Sequence, residues 1–362
     1  MIYNEAGQFK TSYKQDMAML PIVQDRWSVV ALVTFAVAGL PILLAFGTDV
    51  FTSNYLYSAI LIPFLILSLA SIGLNILVGY CGQISLGTGA FMAIGAYAAY
   101  NVAVRLPQVP SILAILCGGL AAAGAGIAFG LPSLRIKGLY LAVTTLAAQF
   151  FFDWLFLRVS WFTNGSASGS VTAPAVEIAG IKLESGTGKY LFVLAVVVLF
   201  ALGLKNLTRG ALGRQWMAIR DMDIAAEIIG IRPVYAKLTA FAVSSFTIGV
   251  AGALWAFVHL GSWEPLAFSI DRSFNILFMI IVGGLGSILG SFLGTAFIMI
   301  LPIVLTRVPA ALGVPLSTST ISHLEVAVFG FLIIFFLIAE PLGLARLWLL
   351  AKEKLRIWPF PY

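Results

Sequence analysis

Long runs of apolar residues, separated by short polar connections, occupy most of this chain. They lie at 27–46, 55–78, 86–104, 111–131, 138–157, 190–204, 238–258, 274–305 and 321–339. A transmembrane helix needs about 20 apolar residues, so the run at 274–305 is long enough for two passes, with a glycine-rich break inside it. The pattern predicts an all-α integral membrane protein. Its polytopic bundle has ten membrane helices, or eight if the segments beside that break are re-entrant.

The composition agrees with this prediction and excludes other classes of protein. Of the 362 residues, 60% are hydrophobic and only 10% are charged, whereas a soluble domain carries about 25% charged residues. A soluble enzyme, a secreted scaffold and a disordered protein are therefore excluded. We expect three parts: an N-terminal segment at 1–26, which does not read as a secretory signal, a transmembrane domain at 27–340 and a tail at 341–362.

The net charge of +6 is explained by how the charges divide between the two sides of the membrane. If the N-terminus is inside, 15 of the 21 basic and eight of the 15 acidic residues fall on the inner side. Lys and Arg concentrate in the cytoplasmic connections of membrane proteins. Both termini are therefore predicted to be cytoplasmic, with a long inner loop at 205–237 and a long external loop at 159–188. The basic residues then require no nucleic-acid partner.

The chain shows no set of residues for catalysis or for binding a metal. It has no phosphate-binding loop and no His-Glu-x-x-His pair, and its histidines are His259 and His323 alone. We therefore expect no catalytic residue, no metal ligand and no cofactor on this chain. Asp153, with Arg158 five positions later, is the main ionisable candidate in a membrane span. It leaves open an autonomous ion-coupled transporter or channel, since such groups often couple ions to solutes.

Mildly polar residues inside the predicted spans are candidates to line a path for a polar solute. Residues of this kind also join neighbouring helices by hydrogen bonds, so each could either line a pathway or hold helices together. The candidates are Asn75, Gln83, Ser85, Thr144, Thr145, Gln149, Ser244, Ser245 and Asn275.

Two segments are unusually rich in glycine: the first glycine segment, at 79–89, and the second glycine segment, at 283–294. Irregular backbone at membrane depth survives only where protein buries it or where it lines water. We therefore predict broken helices near the pathway, and an Asn-Ile-Leu triplet precedes each segment, at 75–77 and 275–277, as a weak internal repeat. The glycines expected at the breaks are Gly82, Gly87, Gly89, Gly283, Gly284 and Gly286.

The inner loop contains a short predicted helix. Asp221 or Asp223 is placed to cap its start, Gly230 is suited to its left-handed end, and Pro233 follows. Ile224, Ile228 and Ile231 are expected on one face. Taken alone, such an amphipathic helix could lie in the headgroup layer.

This loop also resembles a known motif. Its residues 224–230, Ile-Ala-Ala-Glu-Ile-Ile-Gly, are similar to the Glu-Ala-Ala-x-x-x-Gly coupling motif of ABC importer permeases, with Ile224 in place of the acid and Asp223 one residue earlier. Further blocks resemble the branched-chain amino-acid permeases of the LivM type, over residues 55 to 340 in all. These blocks lie at 82–87, 138–147, 213–214, 218–221, 237–241 and 283–287.

The resemblance implies a permease subunit of an ATP-driven importer in the bacterial inner membrane, not an enzyme. The solute would be a branched-chain or related amino acid, or alternatively urea or another small polar solute. The implied partners are a second homologous permease, two ABC ATPase subunits that bind ATP and Mg²⁺, an extracytoplasmic solute-binding protein and membrane lipid. The residues implied to contact the ATPase are Asp223, Ala225, Ala226, Glu227 and Gly230.

Overall fold

The apolar runs fold as helices in a computed structural model of the chain, which describes residues 23–47, 50–133, 140–166, 168–178, 181–311, 317–340 and 342–357. Most of the predicted N-terminal segment at 1–26 lies outside the described residues, as do the start of the predicted span at 138 and the end of the tail. The division into those three parts stays a prediction.

The helices are defined here in chain order. The first six are α1 (23–47), α2 (50–80), α3 (Thr88–Arg105), α4 (Ser111–Ser133), α5 (Tyr140–Arg158) and α6 (Gly186–Arg209). The inner loop folds as α7 (Ala211–Asp221) and α8 (Asp223–Ile228). The others are α9 (233–260), α10 (Ile270–Gly283), α11 (Ile288–Ala311), α12 (Thr318–Ala339) and α13 (Gly343–Ile357). Wider π-helical turns interrupt three of them, at Phe35–Gly39, Leu56–Leu61, Ile76–Tyr80 and Trp255–Leu260.

Eight of the described helices are long and apolar enough to cross a membrane, which confirms an all-α polytopic membrane protein. The run at 274–305 forms two of these candidate spans, Pro265–Gly283 and Ile288–Arg307, joined by a turn. Helices α3 and α12, of 18 and 22 residues, occupy the two remaining apolar runs. If both also cross, the number of passes is ten. The cytoplasmic position of the termini stays a prediction.

Helices α3, α4 and α9 pack with their backbones in close contact, because glycine removes the side chains between them. A Cβ atom at Gly95 of α3 would lie 2.1 Å from the carbonyl oxygen of Gly249 of α9, and one at Gly249 would lie 2.4 Å from Cβ of Ala122 of α4. A Cβ atom at Gly126 would lie 2.3 Å from the Ser245 hydroxyl oxygen, whereas one at Gly130 would lie 3.6 Å from the Phe241 ring, an ordinary contact distance. These small residues allow a dense helical core.

The predicted external loop contains two short antiparallel strand pairs, one of which joins it to the residues that follow α9. Strand β1 (Val171–Thr172) pairs with β4 (Ser262–Trp263), which follows α9, and β2 (Glu177–Ile178) pairs with β3 (Ile181–Lys182). The Tyr97 hydroxyl of α3 donates to the Gly169 carbonyl at 2.9 Å. A short 3₁₀ helix, Pro265–Phe268, leads into α10.

Candidate functional site

The first glycine segment interrupts the chain between α2 and α3, where residues 81–87 are irregular. The first N–H groups of any helix have no partner within the helix. Here two side chains one turn apart on α5 accept bonds from this region: Thr145 Oγ1 from the N–H of Leu86 at 2.9 Å, and Gln149 Oε1 from the N–H of Ala90 at 2.7 Å. Helix α5 therefore supplies hydrogen-bond acceptors for backbone N–H groups at the break between α2 and α3.

Gln149 also joins α5 to α10. Its Nε2 donates to the Phe268 carbonyl at 2.9 Å and to Asp153 Oδ1 at 3.1 Å, and its Oε1 accepts from the Ser273 hydroxyl at 3.1 Å. Ser273 in turn accepts from the N–H of Gly89 at 2.7 Å. Both ends of the buried amide are bonded, so the geometry gives Gln149 a helix-joining role. Asp153, the ionisable candidate, is bonded to this amide.

Glycine is required in this segment because other backbone lies close to it. A Cβ atom at Gly87 would be 2.6 Å from the Thr145 carbonyl oxygen, and one at Gly89 would be 2.4 Å from the Phe268 carbonyl oxygen. Gly82 has a φ of +72°, a conformation that residues with a Cβ rarely adopt. Gly82 and Gly87 lie in the irregular backbone between α2 and α3, whereas Gly89 is the second residue of α3, so the expected break does not extend to Gly89.

The first part of the second glycine segment, residues 283–287, forms the turn between α10 and α11 and is here called the glycine turn. Gly284 and Gly286 have φ values of +119° and +77°. Asn75 of α2 is almost fully buried and binds this turn with both ends of its amide. Its Nδ2 donates to the Ser287 carbonyl and to the Ser291 hydroxyl, each at 2.9 Å, and its Oδ1 accepts from the N–H of Gly286 at 2.8 Å.

The two glycine segments lie against each other. A Cβ atom at Gly79 would be 2.0 Å from Asn75 Oδ1 and 2.2 Å from the backbone nitrogen of Gly286. A side chain at position 79 would therefore prevent the Asn75–Gly286 contact. At the start of α13, Gly343 also reaches this region, because a Cβ atom there would lie 2.6 Å from the Gly284 nitrogen. Chain segments from both halves of the protein thus meet at the glycine turn.

The inner loop contains the predicted short helix, α8. It ends as expected at Gly230, whose φ is +90°. The N–H of Ile231 donates to the Ala226 carbonyl, and that of Gly230 to the Glu227 carbonyl, both at 3.0 Å. This pattern is a Schellman motif, which uses a left-handed glycine to close a helix.

Two details of this helix differ from the sequence-based expectation. Met222 occupies the N-cap position, and neither Asp221 nor Asp223 caps the helix with its side chain. Asp223 is instead the first helical residue and forms an ion pair with Lys237 of α9, because both groups are near the start of their helices. Ile231 is half-buried and does not share the exposed face with Ile224 and Ile228.

Helix α8 exposes large apolar side chains. Ile224 and Ile228 are 67% and 81% exposed, and Met222 and Ile229 are also exposed, whereas Ala226 is buried at 2% against the chain's own loop. Ala225 and Glu227 are exposed as well. Beside α8 lies a groove of about 480 Å³, lined by Gln215, Ile229, Gly230, Ile231, Arg232 and Tyr235. The exposed isoleucines of α8 together with this neighbouring groove are here called the α8 face.

Arg220 connects the inner loop to both glycine segments. It lies near the end of α7, and its guanidinium donates to the Gly79 carbonyl at 2.8 Å and to Asp221 at 3.1 Å. A Cβ atom at Gly286 would lie 3.3 Å from the same guanidinium, and one at Gly82 would touch the Arg220 side chain at 2.9 Å. Sequence reasoning did not include Arg220 among the site residues, although it belongs to one of the resembling blocks.

Cys81 lies at the end of α2 next to this contact and is fully buried. Burial raises the pKa of its thiol to about 12, with Lys237 acting in the opposite direction. The thiol is therefore protonated at physiological pH.

The remaining predicted pathway residues have mixed surroundings. The Ser245 hydroxyl donates to the Phe241 carbonyl of its own helix at 2.7 Å, whereas the buried Ser244 hydroxyl has no partner among the described residues. Ser85 is buried and accepts a long bond from the N–H of Gly87 at 3.5 Å. Gln83, Thr144 and Asn275 are half-buried. That any of these residues lines a pathway stays a prediction.

Residues 56–337 match the family model of the permease components of branched-chain amino acid transport systems. The chain belongs to this family. It is 31% and 32% identical, over 73% of its length, to the high-affinity branched-chain amino acid transport system permease proteins LivM of Salmonella typhimurium and Escherichia coli. A probable branched-chain amino acid transport permease protein LivM of Methanocaldococcus jannaschii is 24% identical over 64% of the chain. No solved structure matches the chain.

The match covers 65% of the length of each of the two bacterial relatives. Together with the eight apolar helices, family membership identifies a multi-pass protein of the inner membrane. The members of this permease family are transport components, not enzymes.

Proposed function

We propose that this permease-family chain is the translocation subunit of an ATP-driven importer for branched-chain or related amino acids. It pairs with a second permease and two ABC ATPase subunits, which bind ATP and Mg²⁺, and it receives solute from an extracytoplasmic binding protein. The relatives' names, which describe permease proteins for branched-chain amino acids, support this class of solute. Urea or another small polar solute is the alternative within the same kind of system.

The observation that carries the proposal is the α8 face. Its isoleucines are exposed in a short helix that connects two membrane spans, where the basic residues predict cytoplasm. Exposed clusters of large apolar side chains mark interaction sites. A groove on an ATPase subunit is a suitable partner, because it would bury Ile224 and Ile228 without disturbing Ala226, which is already packed. The Asp223–Lys237 ion pair holds α8 to α9 and so presents this face.

Arg220 provides the physical connection from the α8 face to the membrane domain. It lies three residues before Asp223, where α8 begins, and bonds the Gly79 carbonyl. Movement of α7 and α8 would therefore move the region where the two glycine segments meet. Packed elements of this kind transmit a displacement because they shift as units and do not deform continuously.

Reconstituted transport tests the proposal. Vesicles containing this chain with its partner permease, ATPases and binding protein should accumulate leucine only when ATP is hydrolysed, and should not accumulate urea. Accumulation by the chain alone, driven by an ion gradient, would instead show the autonomous transporter that Asp153 leaves open.

A truncation tests the α8 face itself. Full burial of an Ile side chain contributes about 1.5–3 kcal/mol, so Ile228→Ala should weaken ATPase association by about 30-fold, since about 2 kcal/mol corresponds to that ratio. Leu266, 74% exposed on the predicted outer side, is the matched control, and Leu266→Ala should leave association unchanged. Equal effects of the two substitutions, measured by co-purification across ATPase concentrations, would rule out the α8 face as the contact.

A further inference from the structure

Arg272 is a cation placed against the protein core at the predicted outer end of α10. Its guanidinium carbon lies 4.7 Å from the centre of the Trp255 ring. On the helix it shares a face with Ile276 and Met279, four and seven positions later, and both of these are buried. The side chain is half-buried and contacts a tryptophan of which only 5% is exposed. Charged side chains at helix ends commonly extend to the membrane surface, whereas the Arg272 side chain packs against the core.

Arg272 has no acidic partner among the residues that the structure describes. The ion pairs found there join Lys182 to Glu177, Arg220 to Asp221, Lys237 to Asp223 and Arg346 to Glu340. The adjacent Asp271 is exposed, and on a helix neighbouring residues do not face each other. A partly buried cation without an acidic partner favours an anionic ligand, because burial of an unpaired charge is costly.

A second unpaired donor lies in the same place. The Nε1 of Trp255 is buried, and in the described part of the chain it has no hydrogen-bond partner. It belongs to the ring that Arg272 covers, and His259, one turn further along α9, packs against that ring with the ring centres 4.4 Å apart. Buried polar groups are almost always hydrogen-bonded in native proteins. The unpartnered indole N–H therefore indicates a ligand with acceptor oxygens, beside a guanidinium that has no acidic partner among the described residues.

We propose that Arg272 and Trp255 bind the carboxylate group of a small organic solute at the predicted outer end of the pathway. A guanidinium offers two parallel N–H groups to one carboxylate, and the indole supplies a third donor. His259 packs against the Trp255 ring, and Asn275, three positions after Arg272, lies on the side toward the predicted membrane centre. The proposal rests on the proposed import function and selects a solute class within it, since an amino acid carries a carboxylate and urea does not.

The chain contains a matched control for this arrangement. Arg105 also lies over a tryptophan, with its guanidinium carbon 3.7 Å from the Trp161 ring centre. Its guanidinium, however, donates to the Trp161 carbonyl at 2.7 Å, and Arg105 and Trp161 are both exposed. Arg105 thus has the same ring contact together with an acceptor and water, and it should not respond to a carboxylate ligand.

Residue-resolved chemical modification tests the site. The complete importer in lipid nanodiscs is treated with phenylglyoxal, and the rate at each arginine is read by peptide mass spectrometry. Leucine should slow the modification of Arg272 at least threefold, whereas leucinamide and urea should not, and the rate at Arg105 should be the same in all four conditions. An Arg272 rate that leucine leaves unchanged, or that leucinamide lowers equally, would overturn the proposal.

The variant Trp255→Phe keeps an aromatic ring under Arg272 and removes the N–H together with the pyrrole part of the indole. It should raise the leucine concentration needed for half-protection of Arg272 by about tenfold, as expected for a hydrogen bond to a charged group. An unchanged half-protection concentration would remove Trp255 from the site and contradict the proposal. If the wild-type importer accumulates leucine without protection of Arg272, this inference alone fails. Protection by leucine in an importer that does not accumulate it supports the site and rejects the import of leucine.

Discussion

Removal of the Asn75 amide should loosen the glycine turn. In Asn75→Ala, α2 loses its bonds to Gly286, Ser287 and Ser291. The groups that lose Asn75 as a hydrogen-bond partner are affected differently. The Ser287 carbonyl still accepts from the Ser291 backbone and hydroxyl, whereas the N–H of Gly286 loses its bond to Asn75. The substitution therefore creates one unsatisfied backbone donor at the point where the two glycine segments meet.

The size of the effect follows from these bonds. Each of the three hydrogen bonds of 2.8–2.9 Å contributes about 0.5–1.5 kcal/mol net, and an unsatisfied buried N–H costs about 1–3 kcal/mol. Bonds between membrane helices average about 0.6 kcal/mol, which favours the lower end of these ranges. We expect a loss of about 3 kcal/mol in the free energy of opening the glycine turn, which corresponds to about 100-fold faster local exchange.

Hydrogen–deuterium exchange of residues 283–287 in the intact complex measures this opening. Asn101→Ala is the matched control, because it removes an amide that bonds the carbonyls of Tyr97 and Phe162 at the other end of α3. It should lower overall thermal stability without changing exchange at the glycine turn. If Asn75→Ala exchanges at the wild-type rate there, the hydrogen bonds of Asn75 do not hold the turn, and the reasoning is wrong.

Three further predictions concern packing, coupling and reactivity. Gly95→Ala should lower the thermal unfolding temperature, because overpacking against the Gly249 carbonyl costs about 1–3 kcal/mol, whereas Gly203→Ala, with open space around it, should not. Arg220→Lys should reduce leucine uptake per ATP hydrolysed while ATPase co-purification stays normal, since one ammonium cannot replace the forked contact; an unchanged ratio would exclude this link. Cys81 should resist maleimide at pH 9 in the folded protein and react after denaturation, because its raised pKa keeps the thiol protonated; labelling of the folded protein would contradict its burial.

Much of the local structure could be predicted from the chain itself. A membrane helix satisfies its own backbone hydrogen bonds, so an apolar run of the right length is enough to specify it. The end of α8 is similarly local: a left-handed position needs glycine, and Gly230 provides it before Pro233. The start of α8 was predicted less well, because the role of Asp223 depends on Lys237, a residue of another helix.

The contacts that organise the candidate site depend on the tertiary structure. Asn75 hydrogen-bonds Gly286, which is 211 residues away in the sequence, and Arg220 hydrogen-bonds Gly79, which is 141 residues away. Gln149 accepts from the N–H of Ala90, which belongs to a different helix. Polarity at these positions indicated either a pathway or a bond between helices, and no periodic pattern names the partner. The sequence by itself determined which segments are apolar and long enough to form membrane helices, because bilayer thickness and backbone hydrogen bonding act on each segment separately. Only the packed structure decided which polar side chain hydrogen-bonds the backbone of which broken helix, because that pairing depends on how distant segments are arranged in space.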